Sequence, residues 1–558
     1  MRAPTWTRSV LVLLLLATTG WSGTVQADGL TVKAGKTVAL SADVLLGATD
    51  VLEALGTAEA PCTLIGNGYA IRTQEGWTGR IVIRHCTVQG LGTASAPALE
   101  VRATGQAVVV VEDTIFDASG AVVLRTSGDS AVTFRRNTIR ESSLVPTETA
   151  LADSRPAFSA SGQSPAVKTF QGNRIYRSWA EFESSDNWTV GGDTSAEGNV
   201  IIGNRAGIII TRSRRMTVRG NYVRGAGPFE GWNQVFVFQA EGTDMLVEHN
   251  VFRNGNWLVR GFTGGEFRYN LLGDSFDRPW MILRSDGEAS VHHNVFIRNR
   301  TRPGVDGLWV LYEARAPSTR VYNNTFHGGG GCGVRTGGAI SVAEGSVLAS
   351  LHSNAFVSFA ADIGRETAIV RGHVGASGHE PKRLAPPRLG YADYNLFHNP
   401  LAATTDNYAL SVAGKIERRD PGFARFDAEP GGPVDQQANP RFTGPVPVSF
   451  PYRDEDLKSG AATVCQILRY YRRIFTPGPG SPLVDRGDPV HGAGSDIGAV
   501  GAGAPHADDR FGTLCPGDDV GHPRLPPNAF ACPARPADTQ GVIDRDGTVR
   551  GNTPSRKP

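Results

Sequence analysis

Lysine is nearly missing from this sequence. There are seven lysines against 49 arginines, and between residues 37 and 381 the only one is Lys168. A reaction that needs lysine as its proton acceptor has almost nothing to draw on there. Net charge is small too, at +2 over 558 residues, so no basic field marks a nucleic-acid surface. No second long apolar run follows the N-terminus, which argues against a membrane-spanning helix. The six cysteines, Cys62, Cys86, Cys332, Cys465, Cys515 and Cys532, show no Cys-x-x-Cys spacing of the kind zinc ribbons use. Clustered Asp-x-Asp-x-Asp runs are also missing, so no metal site is assigned. Carboxylates at Asp274, Asp277, Asp286 and Glu288 are the only loose candidates for calcium, which needs six to eight oxygens. The plainer reading of those four is solvated loop charge.

What is present begins with an export signal. Arg2 and Arg8 precede the apolar run 10–17, and small and polar residues continue to Val25-Gln-Ala27. This pattern predicts a secretory signal peptide over residues 1–27, cleaved after Ala27. The expected location is therefore outside the cytoplasm: periplasm, cell surface or medium. Exported cysteines can form disulfides, and Cys515 with Cys532 is the expected pair, since it would pin the C-terminal tail.

The body of the chain repeats one phrase. It reads Val247-Glu-His-Asn250-Val-Phe252, Phe267-Arg-Tyr-Asn270-Leu-Leu272, Val291-His-His-Asn294-Val-Phe296, Val321-Tyr-Asn-Asn324-Thr-Phe326 and Leu351-His-Ser-Asn354-Ala-Phe356. Weaker copies centre on Asn137, Asn173, Asn199, Asn221 and Asn395. The two positions beyond each Asn always end in a large apolar residue, from Ile139 to Phe397. Successive Asn lie 20 to 41 residues apart. Such a period is too short for one closed domain per copy and fits one coil of a solenoid, in which each coil buries its apolar residues against its neighbours. Each copy reads as a short strand, a bend at the Asn, and another short strand. Asn tolerates the left-handed backbone of a tight bend, and stacked amides can hydrogen-bond from coil to coil.

In chain order, residues 28–60 read as an N-terminal cap and residues 61–400 as the coils. Residues 146–166 read as an inserted loop. Residues 401–503 read as a C-terminal cap with final strands and a short helix near 461–471. The Pro-rich stretch 504–558 is expected to be mostly disordered.

The Asn phrases, with Asp393-Tyr-Asn-Leu-Phe397 and Gly480-Ser-Pro-Leu-Val-Asp485-Arg-Gly-Asp-Pro489 before Asp496-Ile-Gly-Ala-Val500, resemble secreted bacterial right-handed parallel β-helix proteins of the pectate-lyase-like superfamily. The resemblance covers roughly residues 60–500. It implies an all-β fold, a right-handed parallel β-helix built as a single-stranded β-solenoid with caps at both ends. It also implies a protein that handles polysaccharide, because the superfamily includes polysaccharide lyases, hydrolases and uronate epimerases beside members with no assigned activity. The chain is expected to act as a monomer. The catalytic phrases of those enzymes are absent: Gly-His-Gly with Arg-Ile-Lys, Asp-Pro-His-Asp and Arg-x-Pro-x-x-Arg. Lysine-dependent lyase chemistry lacks its base.

Candidate site residues come from aligning strands upstream of each Asn. Gln239, Arg260, Arg284 and Glu313 then fall near one column, and Trp257, Trp280 and Trp309 near a second. Arginine forks bind carboxylates and sugar rings stack on Trp, so these columns predict a groove for an acidic polysaccharide. Arg260, Arg284 and Glu313 are the candidate catalytic groups, and Gln239 and the three Trp the candidate substrate contacts. A second constellation, His249, Tyr269 and His293 with His292 and His352, adjoins the Asn line. His293 is the candidate base. Two functions follow: a lyase or epimerase acting on a uronate-containing polysaccharide, or a non-catalytic surface or matrix-binding protein. On the bland reading, Arg and Glu make a solvated salt-bridge ladder and the bend residues are merely polar.

Overall fold

The computed structural model describes residues 24–517, apart from 28, 94, 141–154, 204–205, 226–235, 275–280, 286, 298–307, 312–318, 329–337, 344, 360–367, 375–386, 400–405, 413–414, 418–434, 448, 492–494 and 503–507. It describes the backbone alone at 24–27, 236–237, 256–263, 282, 284–285, 308–311, 368–369, 371–374, 406–407, 409–412 and 415–417. Residues 1–23 and 518–558, with Trp280, Glu313, Cys332 and Cys532, lie outside the described residues.

Each coil contributes one strand to each of three long sheets, here called A, B and C in the order the chain visits them. Their described strands number 16, 14 and 15. Within each sheet the strands pair in parallel from one end to the other, and the one antiparallel pair among the described residues joins Asp406–Val412 to Lys415–Glu417 at the end of sheet A. The fold is a right-handed parallel β-helix. Coils begin earlier than the boundary expected at residue 61: Leu30–Lys33, Thr37–Ala39, Asp43–Leu46 and Val51–Leu55 already belong to the three sheets. Within the stretch read as an inserted loop, Phe158–Ser161 is a strand of sheet A between Val122–Thr126 and Ala180–Glu183.

The period-two alternation of each strand places one set of side chains inside the coil. The interior runs as a single apolar column of residues from Val32 to Phe397. Within it Phe296, Phe326, Phe356 and Phe397 stack in file, with ring centroids 4.6, 5.1 and 4.9 Å apart and planes within 15° of parallel. This is the arrangement their shared offset from Asn predicts.

From Val200 onward sheet C differs from the other two because both of its faces are largely buried. Val200–Ile202, Leu271–Gly273 and Val295–Ile297 are buried at every position. A sheet apolar on both sides must be covered, and the C-terminal part supplies the cover. Helix α1 (Asp454–Ser459) opens with three acidic residues, which suit the positive end of the helix dipole, and ends on Gly460 in the left-handed region, φ 80°. Helix α2 (Val464–Phe475) starts at a capping box of Thr463 and Gln466 and carries Arg472 and Arg473 in its last turn. Val464, Ile467, Leu468, Tyr471, Ile474 and Phe475 recur at helical spacing and pack on Val200, Val251, Leu271 and Val295. The helix expected near 461–471 thus exists, shifted toward the C-terminus by the cap at Thr463.

Two disulfides are formed among the described residues. Cys62 and Cys86 face each other in register on adjacent strands of sheet C. Cys515 pairs with Cys465 of α2 rather than with Cys532. The reason is packing: helix α3 (Phe511–Leu514) folds back so that Leu514 and Cys515 are buried against Cys465. The tail is therefore ordered at residues 508–517, where the composition suggested disorder.

Candidate functional site

The bend between sheets B and C is built by the Asn line. Each Asn amide donates to the side-chain oxygen of the next Asn, from Asn137 to Asn173 at 3.1 Å through Asn270 to Asn294 at 2.9 Å and on to Asn354 with Asn395 at 3.1 Å. The same oxygen accepts the backbone N–H of the preceding Asn, as Asn294 does from Asn270 at 3.0 Å. All ten amides are buried. The ladder ends on Asp435, which accepts from the Asn395 backbone at 2.8 Å. The left-handed residue of the bend is the one before the Asn, not the Asn itself. His249, Tyr269, His293, Asn323, Ser353 and Tyr394 have φ between 49° and 57°, and Gly172 and Gly220 fill the same place at 64° and 70°. Asn is needed for its amide, and the strain, about 1–2 kcal/mol per non-glycine residue, falls on its neighbour.

This geometry files the residues before each Asn into stacks. His249, Tyr269 and His293 lie with ring centroids 5.0 and 4.9 Å apart. One position earlier, His292, Tyr322 and His352 stack at 4.6 and 5.3 Å. The last two also pack on His491, at 4.6 and 5.0 Å. His249 and His293 are buried, so these are not the exposed polar bend residues of the bland reading.

The C-terminal segment closes over the first stack with carboxylates. Asp509 Oδ1 lies 2.9 Å from His249 Nε2 and its Oδ2 lies 2.5 Å from Arg472. Asp508 accepts from the Tyr269 hydroxyl at 2.9 Å and from Arg268 at 2.7 Å. Beneath them, sheet B aligns Arg219, Glu248, Arg268 and His292 on consecutive strands. Buried Glu248 is held by Arg219 and, at 2.7 Å, by Arg268. Glu266 accepts from Arg268 at 3.1 Å and lies 2.7 Å from His292 Nε2, while His292 Nδ1 meets His293 Nδ1 at 2.8 Å.

Burial lowers the His249 pKa against the opposing pull of Asp509, so at neutral pH the ring is neutral and donates through Nε2 to Asp509. Burial pushes Asp509 up, but the His249 hydrogen bond and the Arg472 charge outweigh it and leave its pKa at about 2. Hydrogen bonding to His292 holds Glu266 below the usual carboxylate range. Burial raises Tyr269, with Asp508 adding to the effect, so its hydroxyl stays protonated.

The arginines of the expected groove lie elsewhere, on sheet A. Arg260 and Arg284 are direct register partners on Asn256–Thr263 and Met281–Ser285. Glu241 pairs with Arg260 on the other side. The rest of the expected columns separates. Gln239 pairs with Leu258, and Trp309 with Ile282, one column over. Trp257 pairs with Phe238 and Met281, both fully buried. Irregularities on both sides of Arg260, between Glu241 and Thr243 and between Arg260 and Phe262, shift the count from the Asn. His293 stands a full sheet-B strand, Ala289–His292, away from the arginine pair, roughly 13 Å at the usual rise. Most of the long connections precede strands of sheet A, but 312–318 and 375–387 follow sheet A strands and 192–199 join sheets B and C. Residues 225–235 lead into Phe236–Thr243, 274–280 into Met281–Ser285 and 298–307 into Leu308–Leu311.

Sequence reasoning missed Glu266, Asp508 and Asp509. Glu266 was legible in principle, since it and His292 flank Phe267 and Val291 one coil apart. The two aspartates come from a tail whose composition gives no hint of docking.

A family model described as "Right handed beta helix region" matches residues 187–347. No curated protein matches the chain. Among solved structures, the periplasmic alginate epimerase AlgG is similar at 13% identity and a TM-score of 0.32, covering 68% of this chain and 76% of that one. The alginate lyase AlyF-OU02 is similar at 12% identity and a TM-score of 0.29, covering 74% of this chain and 90% of that one.

Proposed function

We propose that the protein binds an acidic, uronate-containing polysaccharide along sheet A. The observation that carries this reading is the register pairing of Arg260 with Arg284. Neighbouring strands are ~4.8 Å apart, close to the length of one pyranose unit. Two guanidiniums on that step can meet successive carboxylates, each by a two-pronged hydrogen bond. Most long connections flank sheet A strands, before or after them, which supports the reading, since insertions on one side of a solenoid often build its binding face. Trp280, Trp309, Gln239 and Glu313 are the proposed flanking contacts, and Trp257, in register with buried Phe238 and Met281, is not among them.

Lyase or epimerase chemistry on this face would begin by removing the proton beside the uronate carboxylate, with Arg260 and Arg284 stabilising the charge that develops. It would need a base, and His293 is the residue proposed for that role. One observation favours the second reading, a non-catalytic binding protein: His293 is buried and stands a strand's length from the arginines. A panel of alginate, polygalacturonate and hyaluronan decides between them. Binding that depends on Arg260 and Arg284, without the ultraviolet absorbance of unsaturated uronates or a change in uronate configuration, supports the binding protein. Turnover that Arg284→Ala reduces by more than it reduces affinity supports the enzyme. If no uronate polymer binds, the proposal fails.

Export is part of the same proposal. The formed disulfides fit an oxidising compartment, and among the described residues no helix is long and apolar enough to cross a membrane. Thr24–Ala27 pairs with Asp43–Leu46 at the end of sheet A, and cleavage after Ala27 would remove that strand. Mass spectrometry of the secreted protein should find an N-terminus at Asp28. An intact Met1 would refute the cleavage.

A further inference from the structure

We propose that Glu266, His292 and Asp508 form a site for a divalent transition-metal ion of the zinc type, which ties the C-terminal segment to the coils. Their candidate ligand atoms lie within 4.8 Å of one another. Two come from adjacent strands of sheet B, Gly265–Arg268 and Ala289–His292, and the third from the segment that folds back over them. His292 is buried at the base, while Glu266 and Asp508 reach solvent, so an ion has a way in.

Charge carries the argument further. The ion-pair network through this point holds five carboxylates, Asp193, Glu248, Glu266, Asp508 and Asp509, against three guanidiniums, Arg219, Arg268 and Arg472. The acids outnumber the guanidiniums by two among the described residues, a surplus that a divalent ion would balance. Arg268 does not take up this surplus, because it is shared among Glu248, Glu266 and Asp508.

The chemistry of the donors selects the ion. A ring nitrogen with two carboxylates suits zinc-like metals better than calcium or magnesium, which prefer oxygen. The outer partners also suit a metal site. Arg268 and the Tyr269 hydroxyl each hold one oxygen of Asp508. His293 Nδ1 can accept a hydrogen bond from His292 Nδ1, which frees His292 Nε2 to bind a metal, the usual arrangement for a ligating histidine. Loading would require a small rearrangement. His292 Nε2 and Glu266 Oε1 now lie 2.7 Å apart, and tetrahedral zinc ligands stand about 3.3 Å apart at ordinary bond lengths. The Nε2 proton shared with Glu266 would leave as the metal enters.

The test uses the full exported chain, stripped with chelator and dialysed. Cobalt(II) is the spectroscopic probe and zinc the ligand in thermal unfolding. Binding of a single equivalent, a visible cobalt band and a rise in Tm with zinc are expected. Each of His292→Gln, Glu266→Gln and Asp508→Asn should weaken binding at least tenfold. Asp508→Asn is the variant least exposed to folding defects, because its side chain is partly solvated, and near-ultraviolet circular dichroism checks that all three fold. No cobalt band and no zinc-dependent Tm in the parent would overturn the proposal. Equal metal affinity in the parent and all three folded variants would overturn it too. Glycan binding by the chelated parent is measured separately, so failure of this site and failure of the sheet A reading are distinguishable.

Discussion

His352 shows how one side chain can make this fold sensitive to acid. Burial, reinforced by His491 and opposed by Asp488, lowers its pKa to about 4. The groups facing it are His491, Asp488, Tyr322 and Tyr391. In the unfolded chain the ring titrates near 6.5. Between pH 6.5 and about 4 the unfolded chain takes the proton and the folded one does not. Stability present above pH 6.5 is therefore lost as pH falls through that window, by on the order of 2 kcal/mol. Urea unfolding at about pH 7.5 and about pH 5 should show the loss, and His352→Phe should reduce it by that amount. An unchanged pH dependence in the variant would place the sensitivity elsewhere. His352 was visible in the sequence as a neighbour of the Asn line, but Asp488 and His491, which set its behaviour, were not.

At the scale of the coil, the Asn phrase made the fold legible. A fixed offset from Asn to the apolar residue two places on implies a stacked interior, and the Phe file follows it. The residue that takes the left-handed backbone was not legible, since side-chain hydrogen bonds and backbone strain fall on adjacent positions. Phe296→Ala should cost about 3–5 kcal/mol, as truncation of a buried aromatic does in other cores. Asn294→Ala should cost a similar amount, roughly 3–5 kcal/mol, because it leaves partners on two neighbouring coils unsatisfied. Chemical denaturation of each variant checks both values, and losses under 1 kcal/mol would contradict the ladder. The cover of sheet C was not legible for a different reason. Strands such as Val200-Ile-Ile202 are apolar throughout, and a continuous apolar run does not say what will pack on it. The Cys465–Cys515 disulfide and the Asp509–Arg472 pair fasten residues 508–517 to helix α2 of that cover. Reduction combined with Asp509→Ala should speed amide hydrogen exchange in residues 508–517 while the coils stay protected. Faster exchange throughout the coils would instead make the segment part of the global fold.

Across the whole molecule, one side is closed and another carries the proposed groove. Helices α1 and α2 cover sheet C, and Asp488, His491, Asp496, Asp508 and Asp509 sit against the bend. Most of the long connections flank the strands of sheet A. The sequence could align the two arginines because both precede their Asn by a similar count. It could not place Gln239, Trp257 and Trp309, because irregular pairing around Arg260 changes that count, and a shift of one residue exchanges the faces. The central claim is that Arg260 and Arg284 form the acidic-glycan site. It is tested most directly by calorimetric titration of a uronate oligosaccharide into the parent, Arg260→Ala/Arg284→Ala, and Arg320→Ala on sheet B. Each is measured at low and high salt. The account predicts at least tenfold weaker binding and a flatter salt dependence for the sheet A double variant, with Arg320→Ala matching the parent. Parent-like affinity in the double variant would contradict it.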